Sequence, residues 1–229
     1  VRLAEAAGRV FAIERDRELA AILREELAPH ENITLFEDNA LTFDYGALAA
    51  AQPRPLIVVG NLPYNIATPI LFRLFSQRSK MRRIVLMLQR EMAERIAASP
   101  DRGSYGALSV MVQLYGDAKI VKKVGRGGFV PAPKVESAVL VIELFPDAST
   151  RLPVRDEAIF SKVVHAAFGQ RRKTLRNALG ALGDDVPGWF VPFGIDPQRR
   201  GETLTVPEYV AVANALPPKA EAGDDAGAA

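Results

Sequence analysis

The sequence predicts a doubly wound α/β fold followed by a small all-α domain, and two observations support this prediction. Strand-like apolar runs alternate with amphipathic helical segments over the first two-thirds of the 229 residues. The residues after about position 153 show helical periodicity instead. Alternating strands and helices are typical of a parallel sheet covered by helices, and ligands bind such sheets beyond the carboxyl ends of the strands.

The α/β part begins with a strand that ends on an acid, Glu14. The run Pro-Leu-Ile-Val-Val-Gly over 55–60 is apolar on both faces and therefore predicts a central parallel strand. The predicted order is strand 8–14, helix 16–28, strand 32–36, strand 55–60, helix 67–75, strand 83–88 and helix 91–98.

The pattern changes after Tyr115. Two strand-like segments flank a glycine- and proline-rich loop, which predicts an antiparallel pair that closes the sheet. These later elements are strands over 118–124 and 137–145, a linker over 146–153, and helices over 155–168, 171–182 and 206–216. We expect a first domain over 1–147, a helical domain over 148–216 and a disordered tail over 217–229.

Composition excludes several functional classes. The chain has no cysteine, so it forms no disulfide framework and no thiolate site. No apolar run reaches the roughly 20 residues of a membrane-spanning helix, and no signal-peptide pattern opens the chain. His30 and His165 lack any partner pattern for catalysis or metal, so we expect no metal site. The absence of cysteine agrees with the reducing cytoplasm, and we expect a cytoplasmic, monomeric protein. The chain begins at Val1 inside a predicted helix, and we expect that an N-terminal segment preceded it.

Charge is unevenly distributed along the chain. Residues 1–72 carry 6 Lys or Arg and 10 Asp or Glu, whereas residues 73–134 carry 13 and 4. An acidic first part followed by a basic middle part is compatible with an anionic partner that meets one region of the surface. A solvated charged face explains the same distribution, and charge alone leaves both interpretations open.

The segment Asn61-Leu-Pro-Tyr64 directly follows the apolar strand, where this fold class holds a ligand. Adenine's exocyclic amine is a poor nucleophile because its lone pair is delocalised into the ring. Two acceptors, the Asn61 side chain and the Leu62 carbonyl held rigid by Pro63, would bind both amine hydrogens and free that lone pair. The Tyr64 ring could stack on the base. A simple strand-to-helix turn is the alternative interpretation.

Five ordered segments resemble the ribosomal RNA adenine dimethyltransferases, which dimethylate two adjacent adenines near the 3′ end of 16S RNA. The resemblance covers residues 1 to about 216 and implies a Rossmann-like class I methyltransferase domain, N-terminally incomplete, with a small all-α C-terminal domain. The segments are Asn-Leu-Pro-Tyr-Asn-Ile-Ala-Thr-Pro-Ile (61–70), Gly-Ser-Tyr-Gly-Ala-Leu-Ser (103–109), Phe-Val-Pro-Ala-Pro-Lys-Val-Glu-Ser (129–137), Phe-Gly-Gln-Arg-Arg-Lys-Thr-Leu-Arg-Asn-Ala-Leu (168–179) and Arg-Gly-Glu-Thr-Leu (200–204).

The resemblance implies roles for particular residues in base recognition. Asn61 and the carbonyl of Leu62, before Pro63, would accept from the target amine, and Tyr64 would stack on the extruded adenine. Phe129 would form the other side of the aromatic slot. A base inside packed RNA cannot reach a methyl donor, so extrusion follows from the chemistry. Phe129 could instead be an ordinary core residue.

The resemblance also implies S-adenosylmethionine as cofactor. Glu14 would bind the ribose hydroxyls, while Asp38, Asn39 and Asn61 complete the expected cofactor contacts. The family carries Asp directly before the position of Ala40, but this chain has Asn39 there and Asp38 one step earlier. The family's glycine-rich loop should precede Val1. We therefore expect weak or no binding of the cofactor by these 229 residues, which micromolar affinity in a calorimetric titration would contradict.

Two basic clusters are candidates for contact with 16S ribosomal RNA in the small subunit or its precursor. One lies on the predicted strand 118–124 and just after it, and the other is predicted on a helix of the C-terminal domain. Solvated charge is the alternative for both. The candidates are Lys119, Lys122, Lys123 and Arg126 in the first cluster and Arg171, Arg172, Lys173 and Arg176 in the second.

Three other functions remain open from sequence. An adenine methyltransferase of 23S RNA shares the target-base motif, although the segments 61–65 and 170–177 favour the small-subunit enzyme. A DNA adenine methyltransferase shares the amine chemistry but often has Asp in place of Asn61 and lacks the helical domain. A small-subunit assembly factor that binds without methylating would be non-catalytic, and an Asn61→Ala variant with full biological effect would support it.

Overall fold

A computed structural model describes residues 2–129, 133–145, 151–183 and 187–216, where the side chains of Tyr64 and Pro187 are not described. Six strands and nine α-helices form in this part of the chain. The strands are β1 (Val10–Glu14), β2 (Ile33–Glu37), β3 (Leu56–Asn61), β4 (Met81–Gln89), β5 (Gly116–Val124) and β6 (Ser137–Leu144).

The helices differ widely in length, from four to thirteen residues. Five single-turn 3₁₀ helices accompany them, among them Arg126–Gly128 and Gly201–Thr203. The α-helices are α1 (Arg2–Ala6), α2 (Arg17–Leu27), α3 (Tyr45–Ala50), α4 (Tyr64–Ser76), α5 (Arg90–Ile96), α6 (Ala107–Gln113), α7 (Glu157–Gly169), α8 (Leu175–Ala178) and α9 (Val206–Ala215).

The described residues belong to two compact units. The first takes residues from 1–56 and 62–81, and the second takes residues from 57–61 and 82–229. The predicted domain boundary between residues 147 and 148 does not separate these units, because α7 packs against α6 and α9 within the second one. That boundary stays a prediction, and part of the expected linker and the whole expected tail lie outside the described residues.

The first unit is built around a parallel pair of strands. β1 and β2 pair from Val10 opposite Ile33 to Glu14 opposite Glu37, so both strands end at the same edge. The Asp16 carboxylate then begins α2 by accepting from the amides of its first turn, at 2.9 and 3.0 Å. The sequence of this unit therefore places the ends of two strands next to each other.

Helix α4 is attached to the segment that follows β2 in the same unit. Its Arg73 guanidinium donates to the carbonyl oxygens of Thr42 and Phe43, each at 3.2 Å. Gln77 accepts from the amide of Tyr45 at 2.9 Å, which satisfies the first turn of α3. Three contacts of this kind fix the chain just beyond the carboxyl end of β2.

The second unit contains a mixed four-stranded sheet in the order β3-β4-β6-β5. Strand β6 runs antiparallel to both β4 and β5, as the sequence predicts for the closing pair. A β-bulge between Ile120 and Lys122 shifts the register of β5. The α/β prediction with a Rossmann-like arrangement is confirmed. In this unit α5 and α6 pack against the sheet, and α7 packs against α6.

Strand β3 differs from the sequence prediction of a central strand. It lies at one end of the four-stranded order, and the side chains of Ile57 and Val59 are 50% and 51% exposed. Sequence runs that are apolar on both faces indicate two covered faces. Among the described residues, however, β3 has a sheet neighbour on one side only.

Element boundaries differ from the predictions mainly in the C-terminal part. The predicted continuous helix 171–182 is wrong, because α7 ends at Gly169 and only Leu175–Ala178 is α-helical, followed by a 3₁₀ turn over Gly180–Leu182. Glycine favours the end of a helix, and Thr174 has an extended backbone before the next helix begins. Helices α3 and α6 were not predicted. No helix within the described ranges is long and apolar enough to cross a membrane.

Candidate active site and RNA-binding surface

The first unit brings together two acids of the expected cofactor site, Glu14 and Asp38. The amide of Asp38 donates to the carbonyl oxygen of Glu14 at 3.0 Å, so the two residues lie side by side beyond β1 and β2. One carboxylate oxygen of Glu14, Oε1, accepts from the amides of Arg15 and Asp16 at 2.8 and 2.9 Å. This bonding orients the carboxylate, and Oε2 has no hydrogen-bond partner within the described ranges.

The residues Asp38 and Asn39 differ in the acceptors they offer. The Asn39 Oδ1 atom accepts from the amide of Leu41 at 3.0 Å, so it is already engaged in a local turn. Asp38 is exposed, and its Oδ1 accepts from the amide of Asn39 at 2.6 Å. Burial raises the pKa of the nearby Tyr45, the charge of Arg73 opposes this rise, and the charge of Asp38 adds to it. Of Asp38 and Asn39, only Asp38 keeps a side-chain oxygen, Oδ2, that has no hydrogen-bond partner among the described residues.

The segment from Asn61 to Tyr64 forms a sharp transition from strand to helix. Asn61 is the last residue of β3 and is exposed. Pro63, with φ −56° and ψ 138°, directly precedes α4, which begins three residues before the predicted position. The ring of Pro63 presets the turn. The stacking role predicted for the Tyr64 side chain falls outside what the structure describes.

Within the described residues, two acceptors of this segment have no intramolecular partner. They are the side-chain oxygen of Asn61 and the carbonyl oxygen of Leu62, whereas the Pro63 carbonyl accepts from the amide of Ile66 at 3.1 Å. Asn61 is exposed and Leu62 is half-buried, so both acceptors are open to a donor from outside the protein.

Phe129 lies on the loop between β5 and β6, after the 3₁₀ turn over Arg126–Gly128. Its side chain is half-buried and its backbone is extended. At the far end of the loop, Glu136 accepts from the amide of Arg90 at 2.9 Å through its carbonyl and from the Arg90 side chain at 2.7 Å through its carboxylate. The loop is thus attached to the first residue of α5.

The first basic cluster lies on β5, the last strand in the sheet order, and on the 3₁₀ turn that follows it. All four of its side chains are exposed, and the structure gives none of them a salt bridge with another described residue. Lys residues on an edge strand also prevent unwanted pairing with other chains. The cluster consists of Lys119, Lys122, Lys123 and Arg126.

In the second basic cluster, one side chain binds other parts of the protein, and three have no partner among the described residues. Arg171 donates from Nη2 to the carbonyl oxygens of Gly103 and Tyr105, both at 3.0 Å, and its Nε lies 3.3 Å from the Glu202 carboxylate. The prediction that these residues share one helix is wrong, since only Arg176 lies in α8. The exposed side chains without a partner among the described residues are those of Arg172, Lys173 and Arg176.

The contacts of Arg171 belong to a larger junction in the second unit. Tyr105 is fully buried and donates through its hydroxyl to the carbonyl oxygen of Leu204 at 2.8 Å. Tyr209 donates to the carbonyl oxygen of Gly201 at 2.8 Å, and Phe168 lies between the two tyrosine rings at 5.9 Å from each centroid. Burial raises the pKa of both tyrosines. Three of the five resembling segments therefore meet at one place.

A family model described as ribosomal RNA adenine dimethylase matches residues 1–216 of the chain. The chain belongs to this family. Enzymes of the ribosomal RNA adenine dimethylase family use S-adenosylmethionine as methyl donor. The match includes both compact units, so it covers the strand ends of the first and the junction of the second.

Curated relatives agree with the family assignment. The chain is 46% identical over 227 residues to the ribosomal RNA small subunit methyltransferase A of Anaeromyxobacter sp. (strain K), an alignment that covers 94% of this chain and 78% of the relative. It is 43% identical over 206 residues to the Escherichia coli O81 (strain ED1a) protein of the same name, covering 89% and 73%. Both relatives therefore support the assignment of the chain to the dimethylase family.

Solved structures of other dimethylases and methyltransferases share the fold. A dimethyladenosine transferase from Plasmodium falciparum superposes with a TM-score of 0.74 at 21% identity, covering 92% of this chain and 82% of that one. The 23S rRNA methyltransferase ErmE gives 0.66 at 24% identity, covering 93% and 84%. At these identities the likeness supports the Rossmann-like methyltransferase fold of this family member.

The residues that hold the loops of this dimethylase were not predicted from the sequence. The four-residue spacing of Arg90 and Glu94 could have suggested a helical ion pair, and their side chains meet at 2.7 Å. The hydrogen bond from Arg90 lowers the pKa of Glu94. No local signal in the sequence links Arg90 to Glu136 or Arg171 to Tyr105.

Proposed function

We propose that this protein catalyses S-adenosylmethionine-dependent N6-dimethylation of two adjacent adenines near the 3′ end of 16S ribosomal RNA, in the small subunit or its precursor. Membership of the dimethylase family carries the reaction type. The finer choice of 16S RNA is supported by the names of the relatives, which are small subunit methyltransferases at 40–46% identity. A cytoplasmic, monomeric enzyme fits this role.

The observation that carries the mechanism is the pair of free acceptors at the end of β3. The Asn61 side-chain oxygen and the Leu62 carbonyl oxygen would each accept one hydrogen of the target amine. Binding both hydrogens favours a tetrahedral nitrogen, so the lone pair leaves conjugation with the ring and becomes nucleophilic. Pro63 holds the backbone so that the carbonyl keeps its direction. The amine then loses a proton to water after the methyl group is transferred.

An aromatic slot would hold the extruded adenine during this step. Phe129 supplies one wall, and Tyr64 is proposed for the other. Base stacking on an aromatic ring contributes about 1–3 kcal/mol per base. The half-buried position of Phe129 on a loop, rather than in the core, agrees with a residue that meets an external ring.

The residues at the strand ends of the first unit fit the ribose and adenine of S-adenosylmethionine. The Glu14 carboxylate is half-buried and keeps Oε2 without a partner in the described part, as binding of a diol requires. Asp38, rather than Asn39, would accept from the adenine amine, because the Asn39 oxygen already accepts from Leu41. When bound, the cofactor supplies an electrophilic methyl group on a sulfonium.

The basic clusters would contact the phosphates that surround the target loop. The exposed lysines of β5 and the three cations at or near α8 form no salt bridge with a carboxylate among the described residues. Phosphate neutralisation releases counterions and makes binding depend on salt. Arg171 is not part of this proposal, because its donors already bind backbone carbonyls and Glu202.

Methylation of unmodified ribosomal RNA tests the proposed function. The protein is incubated with either small subunits that lack adenine dimethylation or 23S RNA, at methyl-donor concentrations raised until the rate no longer increases. Primer extension and mass spectrometry of the nucleosides follow. Two adjacent dimethyladenines near the 3′ end of 16S RNA are expected. A primer-extension stop on 23S RNA alone would assign the protein to the other substrate, and small-subunit binding without any methylation would indicate a non-catalytic assembly factor.

A further inference from the structure

We propose that Arg90 is a positioning residue, which holds the loop of Phe129 by linking Glu136 at the end of that loop to Glu94 on α5. The inference rests on the proposed role of Phe129 in the base slot. All four residues lie in the second compact unit, so the argument uses contacts within one unit.

Arg90 binds the loop end through both its backbone and its side chain. The backbone amide donates to the Glu136 carbonyl at 2.9 Å, which continues the β4–β6 ladder by one residue beyond Gln89 and Ser137. The side-chain Nη1 lies 2.7 Å from Glu136 Oε2. A residue held by its backbone and its side chain at once has little freedom left.

Glu94 fixes the other side of the same guanidinium. The Arg90 Nε atom donates to Glu94 Oε1 at 2.7 Å, one helical turn further along α5. The charge of Lys123, near the end of β5, also acts on Glu94. Arg90, which binds the far end of the loop, and Lys123, which precedes the loop in the chain, thus both lower the pKa of Glu94.

The N-terminal arm of the loop is held mainly by hydrogen bonds within its own 3₁₀ turn. The amide of Phe129 donates to the carbonyl oxygen of Arg126 at 3.4 Å, and that of Gly128 to the carbonyl oxygen of Gly125 at 3.2 Å. A Cβ atom added at Gly125 or Gly127 would meet no other atom within 4 Å. Glycine also has the largest backbone freedom to lose. The bonds to Glu136, in contrast, attach the loop to a different element, α5.

The exposure of the network indicates a local role rather than a contribution to overall stability. The side chains of Arg90, Glu94 and Glu136 are 41%, 40% and 50% exposed. Ion pairs this exposed contribute little to the stability of a protein. A displacement of a substrate-positioning group, in contrast, has a large effect on the rate of the chemical step.

Three variants and one matched control test the proposal. Arg90→Gln removes both ion pairs, Arg90→Lys keeps charge but not the two-sided geometry, and Phe129→Ala removes the ring. Arg95→Gln is the control, because Arg95 forms an equivalent pair with Glu91 on the same helix at 2.9 Å. The structure gives its side chain no hydrogen bond or ion pair with the described residues of the loop. Each is measured by steady-state methyl transfer to ribosomal RNA, by thermal unfolding and by hydrogen exchange of the peptide over residues 125–136.

We expect Arg90→Gln to lower kcat about tenfold and to leave KM for RNA within about twofold, because the ring is misplaced while the RNA contacts persist. Exchange of the 125–136 peptide should be faster, and the unfolding temperature should match that of Arg95→Gln. Arg90→Lys should recover part of the loss. In the Phe129→Ala background, Arg90→Gln should have almost no further effect, since both changes act through the same ring.

Two results would overturn the inference. One is an Arg90→Gln variant that matches Arg95→Gln in kcat and in loop exchange, and the other is an effect that adds fully to that of Phe129→Ala. A Phe129→Ala variant with unchanged kcat contradicts the proposed base slot instead. In that case, hydrogen exchange of the 125–136 peptide tests the attachment of Arg90 to Glu136 separately. Faster exchange in Arg90→Gln supports the attachment, and unchanged exchange refutes it.

Discussion

The Arg171 guanidinium donates to the backbone carbonyl oxygen of Tyr105 at 3.0 Å, although the two residues are 66 positions apart in the chain. The same nitrogen binds the Gly103 carbonyl, and Glu202 lies on the other side of the side chain. A residue that the sequence places in an RNA-binding cluster is thus a cross-link within the protein. The neighbouring Arg172 has no such partner among the described residues.

Replacing Arg171 and Arg172 separately should therefore have different effects. Arg171→Ala leaves two carbonyl oxygens without their donor, and we expect it to lower the free energy of unfolding by about 1–3 kcal/mol. Arg172→Ala should leave stability unchanged but reduce the slope of log binding constant against log salt by about 0.7–0.9, the value of one lost phosphate contact. Thermal unfolding and salt-dependent RNA binding measure the two effects.

Each variant serves as the control for the other, because both remove one arginine from adjacent positions. An equal loss of salt slope in the two variants, with equal unfolding temperatures, would contradict the structural role of Arg171. Unchanged salt dependence for Arg172→Ala would remove that residue from the proposed RNA surface.

Gly201 is required by close packing at the same junction. A Cβ atom at this position would lie 2.9 Å from the Tyr209 hydroxyl, 3.0 Å from the Ala167 Cβ and 3.1 Å from the Ala167 carbonyl oxygen. Gly201→Ala should therefore destabilise the protein by about 1–3 kcal/mol, the usual effect of overpacking. Chemical denaturation measures this loss.

Gly180→Ala is the matched control, since a Cβ atom there meets nothing within 4 Å. It should change stability by less than about 0.5 kcal/mol, as is usual for surface substitutions. A Gly201→Ala protein as stable as the Gly180→Ala protein would show that the junction can relax around an added methyl group.

Glu208 should make stability depend on pH in the acid range. Burial raises its pKa, but hydrogen bonds from Arg199 and Thr205 outweigh this effect and the pKa lies below its ordinary value. Because the folded-state pKa is the lower one, the stabilisation is complete above the unfolded-state pKa, about 4.3. It is lost as the pH falls through the lowered folded-state pKa.

Glu208→Gln should remove this part of the acid sensitivity while it lowers stability at neutral pH. Unfolding free energies measured from pH 7 down to about pH 3 test the prediction. Glu26→Gln, at an exposed position of α2, is the control. The assignment to Glu208 is wrong when both variants show the slope of the unsubstituted protein.

Asn61 should be essential for chemistry and unimportant for folding. Its side-chain oxygen has no internal partner among the described residues, so Asn61→Ala should leave the unfolding temperature unchanged. Loss of one group that stabilises charge at the reacting atom typically reduces kcat by about 10²–10³-fold. Single-turnover methyl transfer with saturating RNA measures the chemical step, and equilibrium RNA binding should not change.

A kcat within about threefold of the unsubstituted protein would contradict the role of Asn61, because even one general-acid or general-base contact contributes about 10²-fold. A parallel loss of RNA affinity would instead indicate that Asn61 binds substrate equally in the ground state and the transition state.

Sequence periodicity was sufficient for the strands and for most long helices. The runs that became β1 to β6 are five to nine residues long and lie between turn signals, and strands of this kind can be predicted from the local residue pattern. The helix predicted over 171–182 was wrong because Thr174 is extended, and the amides of Leu175 and Arg176 donate to the carbonyl oxygens of Arg199 and Pro197. Local propensity could not reveal those contacts, which join residues far apart in the chain.

The sequence by itself determined the α/β pattern, the Asn61 motif and membership of the dimethylase family, because these depend on short spacings and residue types. Only the tertiary structure decided which charges are free. It assigned Arg171 to the junction, left Arg172 exposed, and joined Arg90 to Glu136 across 46 positions. The physical reason is that an arginine's role depends on the acceptors within its reach, and folding brings those acceptors from distant parts of the chain.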